Sequence, residues 1–226
     1  EEAKLLPSDG AAEDHFGVSV SIHGDTAVIG AHYHDHNASD SGSVYVFRYG
    51  GAGWSQEAKL SASDGEADDH FGCPVSISDD TIVIGAMGDD DNGDASGSAY
   101  VFRNVGAGWV QEVKLLPSDG GVGDHFGKSV SISGDTALIG AFWDGDHGWH
   151  SGSAYVFRCI GAGWGEDAKL LASDGEASDL FGCSVSIFGN TALIGARGDD
   201  DHGDSSGAVY AFVQCPPDFD SDGDVD

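Results

Sequence analysis

Polar and apolar positions alternate with a period of two in short runs, and the runs return along the chain at a constant distance. In "FGVSVSI", Val18, Val20 and Ile22 alternate with Ser19 and Ser21, the pattern of a strand with one face packed. "TAVIGA" follows and is almost wholly apolar, as a strand covered on both faces is. An acidic loop leads to the alternating strand "GSVYVFR". "GAGW" then turns the chain into the first half of "SQEAKLSASDG", a fourth strand. Between the first two strands, Gly24-Asp25, Gly134-Asp135 and Gly189-Asn190 place Gly at the first central position. That fits a type II′ hairpin turn, which needs positive φ there. Asp79-Asp80 takes this place in the second unit.

The recurrence is strict. Phe-Gly stands at Phe16, Phe71, Phe126 and Phe181, a step of 55 residues each time. "IGA" begins at Ile29, Ile84, Ile139 and Ile194. Tyr45, Tyr100, Tyr155 and Tyr210 repeat with the same step, as do Lys4, Lys59, Lys114 and Lys169. A repeat of this length with four strands is blade-sized, and blades packed radially leave only short, protected edges. The expected fold is all-β: a β-propeller of four-stranded antiparallel blades in four 55-residue repeats. The units span about 1–55, 56–110, 111–165 and 166–214, and residues 215–226 form a separate tail.

These residues resemble FG-GAP repeats, the units of the seven-bladed propeller of integrin α subunits. "FGVSVSIHGDTAVIGA" carries both the Phe-Gly and the Gly-Ala of that repeat. The Pro that usually follows Gly-Ala is replaced by His32, Met87, Phe142 and Arg197, and the pattern is similar to the bacterial variant. The resemblance runs to about Phe212. It implies a propeller, but its calcium site does not carry over. Integrin repeats place an Asp- and Asn-rich loop between the first two strands, where this chain has a two-residue turn. The chain opens on a fourth-type strand, "EEAKLL", and its last repeat strand is third-type, "GAVYAF". That phase lets the first strand complete the last blade of a four-bladed ring. The seven-bladed precedent instead makes the four units part of a larger propeller.

Charge narrows the partners. Nine Lys and Arg face 39 Asp and Glu, a net charge of −30, which repels nucleic-acid phosphate and anionic lipid. No run is long and apolar enough to be a membrane-spanning helix. No signal peptide or initiator Met is visible, which fits a mature chain or a fragment. Cys73, Cys159, Cys183 and Cys215 form no CxxC pair. They leave two disulfide pairings open, Cys73 with Cys183 and Cys159 with Cys215.

The tail carries a cation motif. Asp218, Asp220, Asp222, Asp224 and Asp226, with Gly223 in sixth place, follow the first nine positions of an EF-hand loop. There, alternating carboxylates converge on calcium. The segment resembles the start of a dockerin-type module, and the twelfth position lies beyond the sequence. A second tier of candidate calcium carboxylates lies in the loops after "IGA": Asp89, Asp91 and Asp94 in unit two, and Asp199, Asp201 and Asp204 in unit four. The bland reading of both is a solvated turn. Arg197-Gly198-Asp199 is a tripeptide read by some cell-surface receptors, but it falls in unit four's copy of the unit-two frame "MGDDDNGDASG". We therefore set receptor recognition aside.

The same loop in unit one holds His32, His34 and His36. On an extended backbone they share one side, as zinc or copper ligands do; the commoner reading is surface histidines with no ligand. In unit three, Trp143 and Trp149 stand among Asp144, Asp146, His147 and His150. They are either a sugar-stacking platform or packing for the adjacent blade. Asp14, Asp69, Asp124 and Asp179 precede the Phe-Gly motif in all four units and read as acceptors tying a loop to its blade. Nucleophile-elbow, P-loop and zincin motifs are absent. The expectation is a non-enzymatic extracellular or cell-surface binding or scaffold module that contacts protein or glycan through its variable loops. The rival is an accessory or catalytic part of a secreted hydrolase or lyase acting on polysaccharide.

Overall fold

The computed structural model describes residues 2–161 and 163–213. The first blade is β1 (Val20–His23), β2 (Thr26–Ala31), β3 (Ser43–Tyr49) and β4 (Trp54–Leu60). The second is β5 (Val75–Ser78), β6 (Thr81–Ala86), β7 (Ser98–Asn104) and β8 (Trp109–Leu115). The third is β9 (Phe126–Ser133), β10 (Thr136–Ala141), β11 (Ser153–Ile160) and β12 (Gly163–Leu170). The fourth is β13 (Phe181–Phe188), β14 (Thr191–Ala196) and β15 (Ala208–Val213). Each sheet runs antiparallel in sequence order, with, among the described residues, four strands in the first three blades and three in the last. Among the described residues, no helix is long and apolar enough to cross a membrane.

The hairpins follow the turn chemistry. His23 pairs with Thr26 across Gly24-Asp25, and the first central residue takes positive φ in all four turns: Gly24 +54°, Asp79 +50°, Gly134 +57° and Gly189 +55°. The third strand departs from the alternating expectation. Val44, Tyr45, Val46 and Phe47 are all buried, because β3 is covered on both faces like β2. One face meets the next blade, and the other carries the blade's own Phe16 ring.

Packing between blades explains the motif. One cluster joins Val28, Val44, Val46 and Leu60 of blade 1 to Phe71, Val75, Ile77 and Ile84 of blade 2. Equivalent clusters join blades 2 and 3 and blades 3 and 4. The Phe of Phe-Gly is thus a wedge between blades. Phe126 is fully buried, with its ring edge-on to Tyr155 at 5.4 Å and to Phe157 at 5.9 Å. Two glycines allow this approach. A Cβ on Gly85, the Gly of "IGA", would overlap the Gly127 carbonyl oxygen of the next blade. Gly97 has φ +82°, and a Cβ there would overlap the Phe126 carbonyl, against which Gly97 forms a parallel bridge. Backbones this close across blades exclude any side chain.

Contacts between strands run from each blade to the next in sequence, and among the described residues the two end faces stay uncovered. Val20 and Ile22 of blade 1 are exposed where Val75 and Ile77 are buried. The opening segment, expected as a fourth-type strand completing the last blade, is not a strand here. Among the described residues no third-type strand lies beside it to supply the ladder, and its Leu5 packs against the blade-1 cluster of Ile29, Ala31, Tyr45 and Phe47. Cys73, Cys159 and Cys183 are free thiols, and Cys215 lies outside the described residues.

Candidate functional site

The densest polar site recurs at equivalent positions along the blades. In blade 2, the Lys114 ammonium lies 2.7 Å from Asp89 Oδ2, 2.7 Å from Asp91 Oδ2 and 3.0 Å from Asp64 Oδ2. The Tyr100 hydroxyl is 3.0 Å from both Asp64 Oδ1 and Asp89 Oδ2, so its one proton serves two carboxylates. Blade 3 repeats the arrangement. Lys169 sits 2.7, 3.0 and 2.6 Å from Asp119, Asp144 and Asp146, beside the Tyr155 hydroxyl. In blade 1, His34 takes the place of the buried loop Asp, and its Nε2 lies 3.2 Å from Lys59 Nζ. That contact makes Nε2 the acceptor and leaves the proton on Nδ1, 3.4 Å from Ser43 Oγ. Blade 4 keeps the Tyr210 hydroxyl 2.8 Å from Asp174 and 2.9 Å from Asp199, with no lysine among its described residues.

The electrostatics follow from this geometry. Burial pulls the Lys114 pKa down, but its hydrogen bonds to Asp89, Asp91, Tyr100 and Asp64 outweigh that and raise it. Asp64 feels burial upward, yet Lys114 and Tyr100 hold its pKa below the usual carboxylate value. Burial likewise raises the Tyr100 and Tyr155 hydroxyls, and the neighbouring carboxylates add to it.

Of the second-tier cation candidates, Asp89 and Asp91 are therefore engaged by an ammonium. Asp94 is exposed, and its backbone carbonyl accepts the Gly123 N–H. Asp199 folds its loop by accepting the Asp201 N–H at 3.3 Å, and Asp204 is exposed. Among the described residues, no group of three or more His, Cys, Asp or Glu is arranged to hold a metal ion. Asp218, Asp220, Asp222, Asp224 and Asp226 lie outside the described residues. The sequence signal for the lysine cluster was present but unread: the recurring Lys stands 25 residues after the buried loop carboxylate.

The three loop histidines do not converge, because residues 32–36 form a turn rather than an extended strand. His32 stacks on Tyr33 at 3.9 Å and lies near His15 and His70. His34 joins the Lys59 cluster, and His36 is exposed, 6.2 Å from His34 between ring centres. Burial, with His70 and His15 beside it, pulls His32 down to about 4. A folded pKa below the unfolded value of about 6.5 means that the unfolded chain takes the proton first. Stability therefore falls as pH drops from about 6.5 towards 4. His32→Phe, which copies Phe142 of unit three, is expected to gain about 2 kcal/mol relative to the parent between pH 7 and 4.5. Thermal melting across that range checks it, and parallel melting curves would refute it.

The aspartates before Phe-Gly tie loops to blades. Asp14, Asp69, Asp124 and Asp179 each accept the backbone N–H three residues earlier, at 2.6–2.7 Å. Burial lifts Asp69 to about 6. With Asp64, Glu66, Asp89, Asp90, Asp91 and Lys114 it lines an acidic cleft of about 330 Å³.

Unit three presents an aromatic stack. His150 lies parallel to Trp143 at 4.7 Å and 6°, and its ring also stacks on Trp149 at 3.7 Å. His125 meets Trp143 edge-on at 4.4 Å, and its Nδ1 donates to the Met87 carbonyl at 3.0 Å. Trp149 is 71% exposed and Trp143 37%. Trp149 is thus not used to pack an adjacent blade. The stack offers an exposed aromatic surface, and such a surface can hold a sugar ring or an amphipathic side chain.

The FG-GAP repeat family model matches residues 1–47, 54–102, 109–157 and 164–212. Among solved structures, the computationally designed Ika4 protein is similar with a TM-score of 0.52 at 15% identity, over 93% of this chain and 98% of that one. Sqt1 of Saccharomyces cerevisiae is similar with a TM-score of 0.50 at 11% identity, over 89% of this chain and 46% of that one. At these identities the likeness is one of fold. No curated protein matches the chain.

Proposed function

The chain belongs to the FG-GAP repeat family, and from that premise we propose that it is a non-enzymatic extracellular or cell-surface binding module. Its repeated framework carries one divergent contact surface, and its partner is a glycan or a protein. The observation that carries this reading is the exposed Trp143–His150–Trp149 stack. No other unit has tryptophan in this loop, and Trp149 packs too little to be there for stability alone. The charged clusters favour the same reading over catalysis. They recur from blade to blade, and their carboxylates are neutralised by lysine in blades 2 and 3, whereas acid–base work needs one asymmetric, unpaired group. Calcium belongs to the proposal through the tail carboxylates Asp218 to Asp226, whose alternation suits an oxygen-ligated cation.

Affinity electrophoresis on a panel of soluble polysaccharides, with a peptide array beside it, tests the reading. Trp149→Ala is expected to retain the parent's melting temperature and to lose at least about tenfold in affinity, the scale of one aromatic anchor. Each binding arm is run with calcium and with chelator. Binding unchanged in Trp149→Ala would remove the stack from the contact surface. Binding unchanged in chelator would remove calcium from the proposal.

A further inference from the structure

We propose that blade 1 of one copy of this chain docks on blade 4 of a second copy, head to tail, with Lys4 entering the carboxylates of Asp174, Asp199 and Asp201. The contact would repeat, between molecules, the interface already present three times within the molecule.

Each interface joins two half-surfaces. The receiving half is represented by Val28 and Val44 of blade 1, the docking half by Val75 and Ile77 of blade 2. One of each is left over. On blade 1, Val20 and Ile22 of the docking half are 67% and 64% exposed, whereas Val75 and Ile77 are 6% exposed. On blade 4, Leu193 and Val209 of the receiving half are 45% and 69% exposed, whereas Leu138 and Ala154 are fully buried. The hollow over Val20, Ile22 and Ile29 has a volume of about 430 Å³, and that over Leu193 and Val209 about 170 Å³.

The polar register is also left open at both ends. Within the molecule, the Ile77 N–H donates to Ser21 Oγ at 3.2 Å, the Ile132 N–H to Ser76 at 3.2 Å and the Ile187 N–H to Ser131 at 3.0 Å. The next acceptor in the series is Ser186, exposed on blade 4. The donor one step before the series begins is the N–H of Ile22, exposed on blade 1.

Charge identifies the occupant. Blades 1 to 3 each hold a lysine against the Asp that bonds the blade's tyrosine. In blade 4 the Tyr210 hydroxyl holds Asp174 and Asp199 in the same way, and among the described residues no lysine faces them. Lys4 occupies the same repeat position as Lys59, Lys114 and Lys169, and the residues just after it are already held as those that follow a fourth strand are. Ser8 N–H donates to Gln56 Oε1 at 2.9 Å, as Ser63 does to Gln111 at 2.9 Å. Asp9 accepts from Tyr45 as Asp64 does from Tyr100. What this segment lacks is the third-type strand beside it, and β15 has its outer edge unpaired among the described residues. The pairing of Val44 with Leu60 and Tyr45 with Lys59, transposed, sets Val209 against Leu5 and Tyr210 against Lys4. The contact is heterologous, so each protomer keeps one half of each kind.

The test uses the 226-residue chain. Sedimentation equilibrium over a concentration series is expected to show reversible assembly of 23.2 kDa protomers. Ile22→Glu disables the docking half and Val209→Glu the receiving half. Both side chains are exposed, and circular dichroism checks that both variants fold. Each variant alone is expected to stay monomeric, and an equimolar mixture to form a 1:1 complex. Lys4→Glu is expected to weaken assembly by at least about tenfold, by setting a like charge against the carboxylates. Protomer mass at every concentration, as closure of blade 1 on blade 4 within one molecule would give, overturns the proposal. Self-association of either single variant overturns it too, because a face would then be pairing with its own kind. Unchanged assembly of Lys4→Glu overturns the seating of that lysine.

Discussion

Phe126→Ala is expected to cost about 3–5 kcal/mol, the range for removing a fully buried aromatic ring. The ring lies between Val83, Val101 and Leu115 of blade 2 and Val130, Ile139 and Tyr155 of its own blade. Its removal empties the middle of an interface instead of one blade's interior. For a chain of this length the loss corresponds to a fall of roughly 10–15 °C in melting temperature. The internal control is Phe16→Ala. It removes the same motif residue, with the same edge-on contact to a tyrosine at 5.5 Å, but from the uncovered face of blade 1, where the ring is only half-buried. Its cost is expected to be about 1–2 kcal/mol, because much of that surface is already wet. Thermal and urea melts of the two variants decide the point. Equal losses would mean that the Phe-Gly motif stabilises each blade by itself and that the inter-blade wedge is not its role. In a run of repeats whose stability is a sum of unit and neighbour terms, Phe126→Ala also uncouples the two halves and broadens the transition.

This contrast bears on what was legible in the sequence. The repeat, the strand order and the II′-type turns were readable because each rests on local chemistry: alternation, Gly at a positive-φ position and a constant step. The aspartates before Phe-Gly were readable for the same reason, since an acceptor three residues from its donor is a local device. Burial of β3 on both faces was not, because Tyr45 and its repeats sit among alternating residues and only the neighbouring blade reveals the second covered face. The lysine cluster was missed because its members lie 25 and 50 residues apart. Only the superposition of two blades brings Asp64, Asp89 and Lys114 together. The three histidines misled in the opposite sense. Their period of two implied an extended backbone, but the loop turns and sends His32 and His34 to different neighbours. The tryptophans of unit three were recognisable as aromatic residues in a variable loop, but only the fold places His150 between them.

Lys114→Met is expected to destabilise the protein by about 3–5 kcal/mol at neutral pH, more than the loss of an ordinary surface ion pair. Met keeps the aliphatic stem over the Tyr100 ring, where the ammonium now lies 5.3 Å from the ring centre, so the change isolates the charge. Without it, the buried Asp89 carboxylate keeps the Tyr100 hydroxyl and the Asp91 N–H as hydrogen-bond donors and faces Asp64 and Asp91 with no counter-charge. The pH dependence follows from the two directions of shift. Lys114 has a raised folded pKa, so its contribution is complete below the unfolded value of about 10.4 and fades only as pH rises through the folded one. Asp64 has a lowered folded pKa, so its contribution is present above about 3.9 and is lost as pH falls through the folded value. The parent cluster is therefore fully effective across the neutral range. In Lys114→Met the deficit is expected to shrink as pH is lowered from about 8 to 5, because Asp64, which Lys114 no longer holds ionised against its burial, can then take a proton instead of remaining an unpaired charge. Adding Asp89→Asn is expected to recover at least about half of the loss at neutral pH, since an amide in that place carries no charge to compensate. Urea melts of the parent, the single variant and the double variant at the two pH values measure all of this. A deficit that is independent of pH and untouched by Asp89→Asn would show that Lys114 contributes packing alone, and the carboxylates around it would then need no counter-ion to stay buried.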